Sequence, residues 1–566
     1  EYIAKIVLFT ILNTLICNWI NVMRKIIYSI LSLAIISGCA KRGNPTGGPL
    51  DSLPPVLVNA NPKLNSTNFD SEEIRLTFDE FVKLDKVQDQ LIISPPLDKS
   101  AYEIKPLTGV TKKVFLKFID SLDENITYTI NFGNSIKDNN EGNPLTFFSY
   151  TFSTGETIDS LYVKGNISDA YDIETDEYVS IHLYRIDSTL NDSIIYNKQP
   201  TYISNSLDST SYRFKNLREG KYLIVAMKDV DNNYYFDPFY DKIGFIDSLI
   251  TLPKDSIIDL KLFKEETDLI WDKPHFINSE KIGFGYYGKL DFSRLVIDSN
   301  LPDSVDYIFT KEIEKDTIYV WLTKNSFDSL NFNLIEKDTI KLTTVKFDRK
   351  RDTLIDSLSI SAKTANVIHL RESFKLSTNT PIKKIEDSLI TVRDIDSILV
   401  PFVSSVNDNL DEIDIKFEVS PTDNYTIFIL PDAIKDIKGV TNDTLQFNLV
   451  SQSLEDYGNI FLDVIRNNQS KFILHLIDSN EEIIREYKNV DQNTAYNFEY
   501  IKPGKYTFRL IEDLNKNDIW DTGNYLKKIK PEPVYYFPSE LEVRANWDLN
   551  ETFNLNINQS VNDSIN

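Results

Sequence analysis

Eight oxygen-bearing side chains occur at matched spacing in two places along the chain. The first set is Asp229, Asp231, Asn233 and Asp237, and the second is Asp513, Asn515, Asn517 and Asp521. Side-chain oxygens at loop positions 1, 3, 5 and 9, with a backbone carbonyl at position 7, can wrap a hard cation such as Ca²⁺. An EF-hand loop places Gly at position 6 and a bidentate Glu at position 12; here those positions hold Tyr234 or Asp518, and Tyr240 or Asn524. Asp and Asn also close long hairpin loops by accepting hydrogen bonds from nearby backbone amides. A Ca²⁺ site and a capped turn are both open at this point.

Catalytic patterns are missing from the sequence. It has no Gly-x-Ser-x-Gly elbow, no His-Glu-x-x-His and no phosphate loop. The four His, at 182, 275, 369 and 475, lack zinc spacing. His182 lies between Ile181 and Leu183, and His475 between Leu474 and Leu476, so strand alternation predicts that both are exposed. Paired acids such as Asp79-Glu80 are commonplace in an acidic chain. A non-enzymatic protein is expected.

The chain has 566 residues, with Lys+Arg 61 against Asp+Glu 85 and a net charge of −24. Nucleic-acid binders cluster Lys and Arg to displace phosphate counterions, so this balance argues against that class. With 41% hydrophobic residues, several cores can form. Two Cys exclude a disulfide framework.

Elements that position these loops begin after an address signal. Met23-Arg24-Lys25 and the apolar run Ile26 to Ile36 have the layout of a secretory signal, so 1–22 reads as upstream read-through and 23–38 as signal peptide. Ile36-Ser37-Gly38-Cys39 resembles a bacterial lipobox, which implies acylation, palmitate included, at Cys39. Ala40 follows that Cys, which favours the outer membrane as destination, on a face the sequence leaves undetermined. Residues 39–53 form a Gly/Pro-rich tether.

From residue 56 onward period-two alternation dominates, as in Ile74, Leu76 and Phe78 or Tyr128, Ile130 and Phe132. Asp-Ser-Leu steps at Asp120, Asp159, Asp247, Asp328, Asp356 and Asp387 mark turns between strands. The expected fold class is therefore all-β. Residues 54–155 resemble the bacterial Ig-like domain first recognised in S-layer proteins, through Pro54-Pro55, Asn61-Pro62, Phe78-Asp79-Glu80, Tyr128-Thr129-Ile130, Ile136-Lys137-Asp138 and the exit Tyr150 to Gly155. That resemblance implies a β-sandwich. Residues 156–265 resemble prealbumin-like or carboxypeptidase-regulatory sandwiches, through the hairpin Phe214-x-x-Leu217-x-x-Gly220-x-Tyr222.

Phe214, Gly220, Tyr222 and Asp229 recur in register as Phe498, Gly504, Tyr506 and Asp513. Tyr425-Thr426-Ile427 and Ile434-Lys435-Asp436 echo Tyr128-Thr129-Ile130 and Ile136-Lys137-Asp138. The predicted order is A (54–155), B (156–265), a middle β domain (266–368), a degenerate second Ig-like domain A′ (369–452), a second prealbumin-like domain B′ (453–557) and a disordered tail (558–566). This layout is similar to Ig-like-domain lipoproteins of Bacteroidota. It implies an outer-membrane lipoprotein that works by binding or scaffolding, next to a β-barrel protein or an assembly or secretion complex. Aromatic loops such as Tyr234-Tyr235-Phe236 suit a glycan-binding or adhesive role as the alternative.

Overall fold

The computed structural model describes residues 51–186, 191–278, 280–290, 296–299, 306–312, 316–323, 329–336, 339–346, 357–467, 469–491 and 494–555, with residues 19, 23 and 24. Cys39, the signal apart from Met23 and Arg24, the tether up to residue 50, the tail 558–566 and the steps at Asp328 and Asp356 lie outside the described residues. The architecture is all-β, a set of tandem sandwiches. Among the described residues no helix is long and apolar enough to cross a membrane.

Alternation produces the strands. In Glu73–Leu84 the side chains of Ile74, Leu76 and Phe78 point inward and are buried, while Arg75 points to solvent. Each such side chain contributes about 1.5–3 kcal/mol by leaving water. Val114, Leu116, Phe118, Tyr128, Ile130 and Phe132 join the same core.

Domains A and A′ match strand for strand. In A one sheet runs Leu57–Asn61, Glu73–Leu84, Thr111–Phe118, Tyr102–Lys105, and the other Ile92–Ser94, Thr127–Asn131, Ser149–Ser153. In A′ the corresponding orders are Ile360–Ala362, Phe374–Thr378, Glu412–Phe417, Phe402–Val406, and Ile390–Arg393, Asn424–Ile429, Leu445–Ser451 at matching places in the second sheet. The Tyr128 hydroxyl accepts a bond from the Asp123 amide at 3.1 Å, and the Tyr425 hydroxyl one from Ser420 at 2.7 Å. A′ therefore starts before the predicted boundary at 369. Its first strand, with Leu358 and Ile360 packed against the core, was too short to show alternation of its own.

B and B′ are also copies, with eight strands each. Leu161–Asp169 pairs antiparallel with Ser211–Leu217 and parallel with Leu260–Lys264; Gly458–Ile465 pairs in the same two senses with Thr494–Ile501 and Asp548–Asn554. The hairpin strand Gly220–Lys228 corresponds to Gly504–Asp513, and Tyr222 and Tyr506 both donate to the carbonyl four residues upstream. The middle piece is a smaller two-sheet unit whose core includes Trp271, Phe284, Val320 and Phe332. It ends by Lys346 among the described residues, because Ile360–Ala362 belongs to A′.

These units do not form an open string. Lys438 bridges to Glu280 at 2.7 Å between A′ and the middle domain. The A′ and B′ domains meet through Arg371 and Glu499 at 2.7 Å and through His369 and the Tyr457 hydroxyl at 3.0 Å. B′ then returns to B, which closes a circuit of four domains.

Candidate functional site

The duplicated loops lie where the hairpin strands of B and B′ leave their sheets. In B, the Asp229 carboxylate is buried and accepts bonds from the amides of Asn233 at 3.2 Å and Tyr234 at 2.7 Å. Burial raises its pKa, and those amides oppose the rise. In B′, Asp513 accepts bonds from Asn517 at 3.1 Å and Asp518 at 3.0 Å. The two loops share one frame, and a left-handed residue follows in each, Tyr234 at φ 65° and Asp518 at φ 66°.

A second acid closes each loop, at a position that no spacing marks. Asp241 accepts bonds from the amides of Val230 at 3.0 Å and Asp237 at 2.8 Å. Glu532 does the same for Leu514 at 2.7 Å and Asp521 at 3.1 Å. Burial raises the pKa of both. The roles coincide although the offsets from Asp229 and Asp513 differ, so a register search passes over the pair.

The remaining oxygens follow suit. Asn233 accepts from the Tyr235 amide and Asp237 from Phe239; Asn517 accepts from Ile519, while Asn515 and Asn517 both donate to Asp521. The Asp231 side chain has no described partner. Lys471 lies 2.5 Å from Asp518 and 3.7 Å from Asp513, so a fixed cation already borders the second loop. Among the described residues no three His, Cys, Asp or Glu side chains converge as a cation site. At seven of the eight predicted positions, Asp231 being the exception, the side chain accepts hydrogen bonds from within its own loop.

The two loops then diverge in what they touch. In B, Tyr234 folds back over its own sheet, with its ring 5.9 Å from that of His182. In B′, the longer loop reaches across to B. The Thr522 hydroxyl donates to the Lys264 carbonyl at 2.5 Å, the Tyr525 amide donates to the Glu265 carboxylate, and Lys530 donates to the Phe245 carbonyl at 2.5 Å. Tyr525 is fully buried, 5.2 Å from Phe245 in a T-shaped contact, within a cluster that includes Tyr184, Met227 and Phe263. Gly523 sits so close that a Cβ there would stand 2.7 Å from the Phe263 ring and 2.7 Å from the Ile529 carbonyl.

B returns the contact. Tyr171 lies 4.1 Å beneath the Arg509 guanidinium and 4.7 Å from the Trp520 ring, and its carbonyl accepts from the Tyr536 hydroxyl. Arg509 donates to His475 Nδ1 at 3.3 Å, and His475 Nε2 faces Glu486 at 3.1 Å.

This roofing corrects the expected exposure of His182 and His475. Both are buried. His182 pairs across the sheet with Val225 and His475 with Arg509, which places the two imidazoles at equivalent positions on the outer sheet face. That face is polar in phase but covered, by Tyr234 in one copy and by Arg509 and Tyr171 in the other. Burial lowers the pKa of His182 to about 3 and lowers that of His475, with Arg509 adding to the effect.

Comparison with known proteins places one part of the chain. The sequence profile of the bacterial Ig-like domain matches residues 51–154, so A is a domain of that kind. No curated protein sequence matches the chain. Among solved structures, native alpha-2-macroglobulin of Escherichia coli aligns at 12% identity and TM-score 0.17, covering 32% of this chain and 71% of its own. The major pilin subunit BcpA of Bacillus cereus aligns at 12% and 0.13 over 70% of this chain and 99% of its own. The SGBP-B protein of the mixed-linkage glucan utilization locus of Bacteroides ovatus, solved with a heptasaccharide, aligns at 9% and 0.16 over 68% and 94%. At such scores these likenesses carry no argument, and the fold rests on the sheets themselves.

Proposed function

We propose that this protein is a non-enzymatic lipoprotein, anchored at the outer membrane through Cys39, that serves as a rigid binding or scaffold subunit. The observation that carries this reading is the closed circuit, in which B′ docks on B through Thr522, Tyr525 and Lys530. Closure fixes the relative positions of loops and sheet edges that an open string would leave free, so a partner meets a pre-organised surface. The buried ionisable groups support a structural role: Asp229, Asp241, Asp513 and Glu532 all face backbone amides.

The partner class is a β-barrel protein of the same membrane or an assembly or secretion complex built around one. A tether from Cys39 holds the body at high effective concentration beside such neighbours, so modest direct contacts suffice. Affinity purification from detergent-solubilised native membrane, read by mass spectrometry, is expected to recover a barrel protein at near-stoichiometric yield. Recovery of none rejects the partner class. Labelling with a palmitate analogue, lost in Cys39→Ser, checks the anchor separately.

A further inference from the structure

Where A meets B, a groove of about 600 Å³ opens between the sheet containing Thr127–Asn131 and the outer face of Leu161–Asp169 and Ser211–Leu217. Lys164, Arg213 and Lys215 line it together with the polar side chains of Asn131 and Ser149 and the exposed ring of Phe147. No Asp or Glu is among its described lining residues. Four other grooves on the described surface all carry acid: Asp70 and Glu72, Glu174 and Glu540, Glu312 and Asp411, and Glu372.

The placement of the three cations departs from ordinary strand pairing. Arg213 and Lys164 stand directly opposite each other across the antiparallel pair. Like charges in that position destabilise a sheet. Arg213 and Lys215, two residues apart, present the same face about 7 Å from one another. None of the three pairs with a described carboxylate, although the chain carries 85 acids against 61 bases. Beside them Tyr162 lies under Arg213 at 5.5 Å, and its ring is partly exposed.

We infer that this groove binds an anionic saccharide, whose carboxylate or phosphate groups neutralise Lys164, Arg213 and Lys215 while a ring face rests on Phe147. The fork of Arg213 suits bidentate capture of such a group. A peptide strand fits less well. The edge of Ser211–Leu217 that would receive it is capped, since the Ser204 hydroxyl donates to the Arg213 carbonyl at 2.9 Å and Asn216 donates to Thr129 and Thr151 of A. The groove lies apart from the B–B′ contact, so the inference stands independently of the barrel-partner reading.

Isothermal titration of the full chain with three probes decides it. Polygalacturonate is expected to bind, and fully methyl-esterified pectin, with the same backbone and no charge, to bind at least about tenfold more weakly. Lys164→Glu/Arg213→Glu is expected to lose about tenfold or more in affinity for polygalacturonate, while Lys254→Glu, outside the groove, binds as the parent does. Phe147→Ala, which leaves every cation in place, is expected to lose a few-fold and covers the case in which the double variant fails to fold. Three results overturn the inference: no binding of polygalacturonate at low salt, equal binding of the esterified chain, or tighter binding of the third probe, poly-L-glutamate, which would mark a site for acidic protein.

Discussion

The loops Asp229–Asp241 and Asp513–Glu532 share one internal frame and differ in what they hold together. Each has a buried first Asp capping two amides and a second acid spanning the loop ends. The B copy is short and covers its own histidine. In B′ the closing acid arrives later in the chain, and the extra residues carry Gly523 and Tyr525 into the other domain. A capped turn is therefore a neutral device. Its added length decides whether it finishes one sandwich or fastens two.

Breaking the outward contact is expected to have the largest effect. Tyr525→Ala removes a buried ring from the Phe245–Phe263 cluster, at a cost of about 3–5 kcal/mol. Calorimetry should then show B and B′ melting apart where the parent melts them together. Gly523→Ala tests the same seam by overpacking, with an expected loss of about 1–3 kcal/mol. A variant that melts like the parent would show that the Phe263 contact does not set the spacing.

Acid sharpens the comparison between the two histidines. The unfolded chain binds a proton at each near pH 6.5, whereas folded His182 binds one only near pH 3. Stability is thus unaffected above about pH 6.5 and falls below it, by up to about 1.4 kcal/mol per pH unit for His182. His182→Gln should flatten the acid limb of a denaturation series. His475→Gln should flatten it less, because Glu486 favours the protonated form of that imidazole.

The smallest effects concern the caps. Asp229→Ala and Asp513→Ala should lower stability by about 0.5–2 kcal/mol, the second also loosening the seam with B. With all the loop side chains but Asp231 already hydrogen-bonded, millimolar Ca²⁺ should move the parent melting temperature by less than about 1 °C. A larger rise, absent from Asp513→Ala, would show that a cation displaces the amides.

Much of the architecture was legible from residue types. Alternation at Ile74, Leu76 and Phe78 located the strands, and the recurrence of Gly220 and Tyr222 as Gly504 and Tyr506 exposed the duplication, because strand period and hairpin geometry are local properties. Surface coverage is not local. His182 kept the polar phase of its strand and is buried all the same, since its cover comes from a loop some fifty residues away. Glu532 could not be paired with Asp241 by spacing, as insertion changes offsets while the amides to be capped stay the same. Trp520 and Tyr525 lie outside the alternating strands, and the sequence carries no periodic mark of the domain they seat against. The cross-strand cations Lys164 and Arg213 needed the register before their opposition showed.

The bond between Tyr525 and Glu265 spans 260 residues. During synthesis B emerges with Phe245 and Phe263 lacking the Tyr525 ring, and that cover arrives only after more than half the remaining polypeptide. Shielding by a chaperone suits that interval. A chain ending between Phe263 and Tyr525 would keep the B cluster but never receive its cover.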